Sequence, residues 1–279
     1  MRTPRFHRRT RDPFDIRSRF PGPAQAFAGD YGERHGGLVC EALDSPALLA
    51  RFSDGEHLPD GYGIGLDERV VEFPWVFRRI GRDARFLDAG SSLNHAHILD
   101  RFLPVVRAMT IVTLRPEATN YPERGISYVY ADLRDLPFSD GQFNVIASVS
   151  TLEHVGMDNS VYGGPSVRDH DPDYEVKKAI KELTRLLAPG GTLLITVPVG
   201  RFEDHGWFRQ FDRRGVTRLL DAIGSERSSV CFYAYSEDGW ARTTGQQIDA
   251  ARYHEVLVAG PAPDRAVAAR AIACIEATL

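Results

Sequence analysis

Between residues 174 and 187 the apolar positions Val176, Ile180, Leu183 and Leu187 recur at intervals of three and four. Lys177, Lys178, Lys181 and Glu182 take the opposite face, the pattern of an amphipathic helix with one side on a core. Asp171 or Asp173 is placed to cap its start, and Pro189-Gly190-Gly191 to stop it. Short apolar, β-branched runs surround this helix: 85–89, 108–114, 127–131, 144–149 and 192–198 read as strands, with a helix over 96–102. Strands alternating with helices predict an α/β fold with a doubly wound, mostly parallel sheet.

Downstream, the pattern predicts a helix near 216–223, strands around 229–235 and 254–259, and a C-terminal helix in 263–279 with Val267, Ala271, Ile272 and Ile275 on one side. Upstream, residues 20–65 are broken by Pro and Gly around one short helical stretch, 45–52, and lack the long periodic segments of an independent domain. We therefore expect residues 21–80 to form an N-terminal lid or wrap. Its last part, 68–80, reads as a helix or pair of turns interrupted at Pro74. The expected core is 81–262.

Composition narrows the picture. A chain of 279 residues, 43% hydrophobic and 26% charged, can bury a full core. No apolar run approaches the ~20 residues that span a bilayer. Cys40, Cys231 and Cys274 lie far apart without CxxC spacing, so neither a zinc site nor a disulfide framework is expected, and a reducing cytoplasm is the natural setting. A net charge of −4 argues against general nucleic-acid binding. Residues 1–20 are the exception: seven arginines face only Asp12 and Asp15. That block reads either as an arm for an anionic partner or, as charge blocks more often are, as a solvated, disordered terminus.

Three segments carry the chemistry: RFLDAGSSLNH at 85–95, YADLRDLPFSDGQFNVIASVSTLEHVG at 130–156 and LTRLLAPGGTLLITVP at 183–198. Each runs from a regular element into a polar, often Gly-bearing turn, which is how a parallel sheet offers a ligand site at the carboxyl ends of its strands. In this order and spacing they resemble the class I S-adenosylmethionine-dependent methyltransferases, over roughly residues 69–259. The resemblance implies a seven-stranded Rossmann-like sheet, S-adenosyl-L-methionine as cofactor and methyl transfer to a small-molecule acceptor. The runs LEHVGMDN and HGWF are similar to those of methyltransferases of bacterial polysaccharide or natural-product pathways, and this resemblance implies a hydroxyl of a sugar or secondary metabolite as acceptor. The competing reading is a catalytically silent binding or scaffold protein on the same fold.

The resemblance also assigns roles. Asp88, Gly90, Ser91, Ser92 and Asn94 fall on the loop that meets the methionine end, although Ser92 and Asn94 stand where the family has glycine. The second strand ends without the usual ribose acid. Thr113 is the substitute for one hydroxyl, and Glu117 is within reach from the next loop. Asp132 corresponds to the acid that accepts from the adenine amino group, and Leu133 to the residue whose N–H meets the ring. Ser150, Glu153 and His154 lie at the end of the fourth strand, where His154 is a candidate base with a pKa near working pH. Ser150 replaces the first acid of a metal-binding ExxEH, so no metal is expected. The polar insertion after Gly156, with Tyr162, and the later run with His205 and Trp207 read as substrate determinants, His205 being a second candidate base. A charged segment with Glu68, Arg69 and Glu72 lies close enough before the first strand to meet the methionine charges. We expect no membrane contact and leave a homodimer contact open.

Overall fold

Eight strands join in one sheet because most of them are apolar on both faces and can be covered by helices on each side. The computed structural model describes residues 29–163 and 166–279; the expected basic arm, residues 1–20, lies outside them. In chain order the elements are α1 (Tyr31–Asp44), α2 (Pro46–Ala50), α3 (Arg69–Phe77), β1 (Arg85–Ala89), α4 (Ala96–Phe102), β2 (Ala108–Thr113), β3 (Ile126–Tyr130) and β4 (Phe143–Val149). They continue with α5 (Pro172–Arg185), β5 (Leu187–Pro198), the short hairpin β6 (Glu203–Asp204) and β7 (Arg209–Gln210), α6 (Arg213–Ile223) and β8 (Ser228–Ser236). Last come β9 (Gly239–Thr243), α7 (Gln246–Ala250), α8 (Val256–Ala259) and β10 (Ala271–Thr278).

The strand order is β3-β2-β1-β4-β5-β10-β8-β9. The first five strands are mutually parallel; β10, β8 and β9 each run antiparallel to the preceding neighbour. Alternation along the strands divides the core. Phe86, Ile111 and Ile272 face a layer with Leu38 of α1, Phe73 of α3 and Leu99 of α4, whereas Leu87, Val112 and Ile275 face Ile180 of α5 and Leu219 of α6. The order reverses between β1 and β4, and the crevice at their carboxyl ends is the natural ligand position.

Several expectations are corrected. The sheet has eight strands rather than seven, the extra one being β9, hairpinned onto β8. The predicted C-terminal helix of 263–279 is instead the central strand β10, held between β5 and β8. Its alanines favour a helix, but a strand buried on both faces gives the same unbroken apolar run, and two-sided pairing decides the outcome. The strand expected at 254–259 is the short helix α8. The 21–80 segment is not mere wrap: from Tyr31 onward, α1 to α3 bury Leu38, Val39, Val70 and Phe73 in the main core. Gly32, Gly36 and Gly37 disguised α1. Pro74 sits inside α3 rather than breaking it. The Val70 carbonyl, which loses its helical donor to the proline, accepts instead from the Tyr62 hydroxyl at 2.6 Å.

Candidate functional site

A cavity of about 400 Å³ opens at the carboxyl ends of the parallel strands, where β1 and β4 diverge. Its floor is built by two loops that share one acceptor. Ser92 Oγ, after β1, and Thr151 Oγ1, after β4, both donate to the Val149 carbonyl, at 2.6 and 3.0 Å. Gly90 is obligatory here: its φ is 132°, and a Cβ would lie 2.0 Å from Thr151 Oγ1. Ser91 follows in the left-handed region, φ 63°, so two consecutive backbone units turn toward the cavity.

Of the residues singled out from the sequence, Gly90, Ser91, Ser92, Thr113, Asp132, Leu133, Ser150, His154 and Tyr162 line the cavity. Asp88 and Asn94 stand behind it. Asp88 accepts from the Leu93 N–H at 2.9 Å, and its other oxygen is enclosed without a protein partner. Burial, against that hydrogen bond, pushes its carboxyl up to about 7. The Asn94 amide is committed to the protein: it donates to Glu117 at 2.8 Å and to the Thr119 carbonyl at 3.0 Å, and accepts from the Tyr128 hydroxyl at 2.8 Å. Ser91 Oγ also donates to Glu117, at 2.9 Å. Glu117 therefore reaches back from its loop to line the cavity, held by the glycine-loop residues themselves. It is a carboxylate in the cavity wall beyond the end of β2, where that strand itself ends without one.

At Asp132, burial is outweighed by Arg134, whose guanidinium meets both carboxylate oxygens at 2.9 and 2.7 Å and holds the group below its ordinary range. The same guanidinium reaches Asp169 at 2.6 Å and Glu175 at 2.5 Å. This ties the insertion after Gly156 and the start of α5 to the cavity wall.

The opposite end is built around Arg69, which lines the cavity from the start of α3. It pairs with fully buried Glu72, whose Oε1 also accepts from Ser150 Oγ at 2.6 Å and Thr196 Oγ1 at 2.7 Å. Ser150 is held at φ 39° in doing so. This joint between α3 and the ends of β4 and β5 was missed as such in the sequence. Its only signal was a charged residue inside the apolar run VVEFPWVF.

His154 is packed among aromatic rings, stacked on Trp207 at 5.2 Å between centroids and edge-on to Tyr162 at 5.2 Å. Its Nδ1 lies 3.0 Å from the Trp207 carbonyl. A carbonyl only accepts, so Nδ1 carries the proton and Nε2 keeps its lone pair. Burial pushes the ring down to about 4, so it is neutral at pH 7. Glu153 is 3% exposed, and its Oε1 lies 4.0 Å from that Nε2. Burial, with Glu72 and Glu68 nearby, pushes its carboxyl well up. Half-exposed Tyr162 is pushed up to about 12 by partial burial and by Glu153. His205 and Trp207 do not line the cavity. His205 stacks flat on Phe208 at 4.4 Å, 3.8 Å from Glu203, whereas Trp207 backs His154.

An adenosyl ligand with charged methionine groups needs an apolar slot, an acid for ribose hydroxyls and charges for the amino-acid end. Val112 and Leu114 supply the first, Glu117 the second and the Arg69 cluster the third, in a volume typical of small-molecule sites. The residues present fit such a group.

Residues 88–195 match a model described as a methyltransferase domain, spanning the parallel part of the sheet from the end of β1 into β5. Similar solved structures include a 1,6-didemethyltoxoflavin N1-methyltransferase from Burkholderia thailandensis, 16% identical, covering 90% of this chain and 84% of that one with a TM-score of 0.46. YcgJ from Bacillus subtilis is 14% identical, covering 72% and 93%, with a TM-score of 0.46. The N-methyltransferase NodS from Bradyrhizobium japonicum is 15% identical, covering 69% and 76%, with a TM-score of 0.40.

Proposed function

Given the Rossmann-like methyltransferase fold, we propose that the cavity binds S-adenosyl-L-methionine and that the protein methylates a hydroxyl of a small acceptor, a sugar or secondary metabolite. The observation that carries this reading is the single cavity wall that brings Gly90-Ser91-Ser92, Glu117, Asp132-Leu133, Arg69 and His154 together. When bound, S-adenosyl-L-methionine supplies an activated methyl group, so the protein's work is alignment, exclusion of water and removal of a proton.

The residues divide that work. Asp132 and Leu133 would hold the adenine edge, Glu117 and Thr113 the ribose, the backbone of Gly90 to Ser92 and the Arg69 guanidinium the methionine end. Tyr162 and His154 present ring edges and faces at the cavity, the surface a sugar or other ring stacks against. His154 Nε2 accepts from the acceptor hydroxyl and orients it. A ring with a pKa near 4 stores a proton poorly, so the proton must pass on.

Calorimetric titration with S-adenosylmethionine, S-adenosylhomocysteine and NAD tests the reading. We expect micromolar binding of the two sulfur compounds and none of NAD. Failure of both sulfur compounds to bind would favour a silent scaffold instead.

A further inference from the structure

Three guanidiniums line the cavity, and two of them are already spent. Arg69 pairs with Glu72, and Arg134 meets Asp132, Asp169 and Glu175. The third, Arg115, is exposed on the loop after β2 and makes no hydrogen bond or ion pair among the described residues. Neither carboxylate of the wall answers it. Glu117 is turned back to Ser91 and Asn94, at 2.9 and 2.8 Å, and Asp132 is clasped by Arg134. The insertion meets Arg115 from across the mouth. A Cβ on Gly163 would lie 3.9 Å from Arg115 Cγ, so the arginine stem runs beside the end of the turn Ser160–Tyr162. Tyr162, the neighbour of Gly163, is edge-on to His154 with ring centroids 5.2 Å apart. The unspent cation and the ring surface given above to the acceptor therefore border the same opening.

Resting on the cofactor reading above, we propose that the acceptor carries an anionic group, a phosphate or a carboxylate, and that Arg115 binds it while the ring bearing the hydroxyl lies against Tyr162 and His154. The methyl donor gives Arg115 nothing to bind. Its only anion is the methionine carboxylate, which the reading above assigns to Gly90 to Ser92 and Arg69. A guanidinium presents a planar fork of N–H donors that matches two oxygens of a phosphate or carboxylate at once, and it stays charged at any working pH. Inside a cavity with partly apolar walls such a pair is stronger than in open water. An acceptor without the anion leaves Arg115 to solvent and forfeits that pair. Arg115 therefore selects among hydroxyl compounds and takes no part at the reacting atoms.

The test uses three compounds that share a ring and differ in the anion: glucose, glucuronate and glucose 1-phosphate. Each is titrated calorimetrically into protein saturated with S-adenosylhomocysteine, whose own binding is read first. We expect at least one of the two anionic sugars to bind about tenfold tighter than glucose, or better. Arg115→Gln, an exchange at an exposed side chain, should remove that advantage and leave the affinity for S-adenosylhomocysteine as in wild type. Equal binding of the three sugars, or an advantage that survives in Arg115→Gln, overturns the proposal while leaving the cofactor reading intact. Anion binding that appears only without S-adenosylhomocysteine also overturns it, because the anion then occupies the cofactor's place. No binding of S-adenosylhomocysteine overturns both readings.

Discussion

The two ends of the cavity treat charge in opposite ways. At the β2–β3 end, Asp132 is ionised, clasped by Arg134 and half open to water. At the α3–β4 end, behind the cavity wall, one carboxylate oxygen each of Glu153 and Glu68 is enclosed without a hydrogen-bond partner, and burial pushes both groups up toward the neutral form. The difference comes from counter-charge. Arg134 is brought against three carboxylates near the surface, where water helps each of them, whereas Arg69, which also keeps some exposure, is spent on a fully buried Glu72. A paired, wet acid is a fixed hydrogen-bond acceptor. An unpaired, dry one is held toward its neutral form.

Three perturbations would break or sharpen this contrast. The largest effect is expected where the two ends meet. Gly90→Val places a side chain against Thr151 at a backbone angle that L residues rarely adopt. It should cost about 3–5 kcal/mol of stability, read by urea denaturation; a loss under 1 kcal/mol would show that the shared floor is soft.

Next comes pH at the dry end. His154 titrates near 4 in the fold against an ordinary 6.5. Between those values the unfolded chain binds the extra proton, so the stability this group contributes is present above pH 6.5 and lost as pH falls toward 4. Wild type should lose about 2–3 kcal/mol more than His154→Gln over that window. Parallel denaturation curves for the two proteins would mean that the ring is not dry.

The smallest effect belongs to the wet end. Asp132→Ala should weaken adenosyl binding by about 1–2 kcal/mol while costing under about 1 kcal/mol of stability, because Arg134 keeps Asp169 and Glu175. Calorimetry and melting curves separate the two quantities, and unchanged affinity would remove Asp132 from the site.

Legibility followed the same division between local and distant causes. Strands 85–89 and 108–114, and the helix over 96–102, were readable within a residue because each is a short apolar run closed by polar turns. The residues at the turns after β1 and β3, from Gly90 to Ser92 and from Asp132 to Leu133, came with the strand pattern and line the cavity. In the antiparallel part, Ala271 to Thr278 resembled a helix, since an apolar run does not declare whether one face or two will be covered. The glycines of α1 hid a helix whose stability comes from packing Leu38, Val39 and Ala42 into the core. Asn94 looked like a cofactor residue from its loop position, yet its amide is spent on Glu117, Thr119 and Tyr128.

The sequence by itself determined the alternating elements, the parallel core and which segments end in chemically able turns, because those properties depend on neighbours a few positions away. The tertiary structure decided the edges of the sheet, the placement of Glu117 in the cavity wall against Ser91 and Asn94 and the joint of Glu72 to Ser150 and Thr196 across 78 and 124 positions. It also decided the protonation of Glu153 and His154. A titratable group answers to the water and charge around it in space, and those are assembled only when distant parts of the chain fold together.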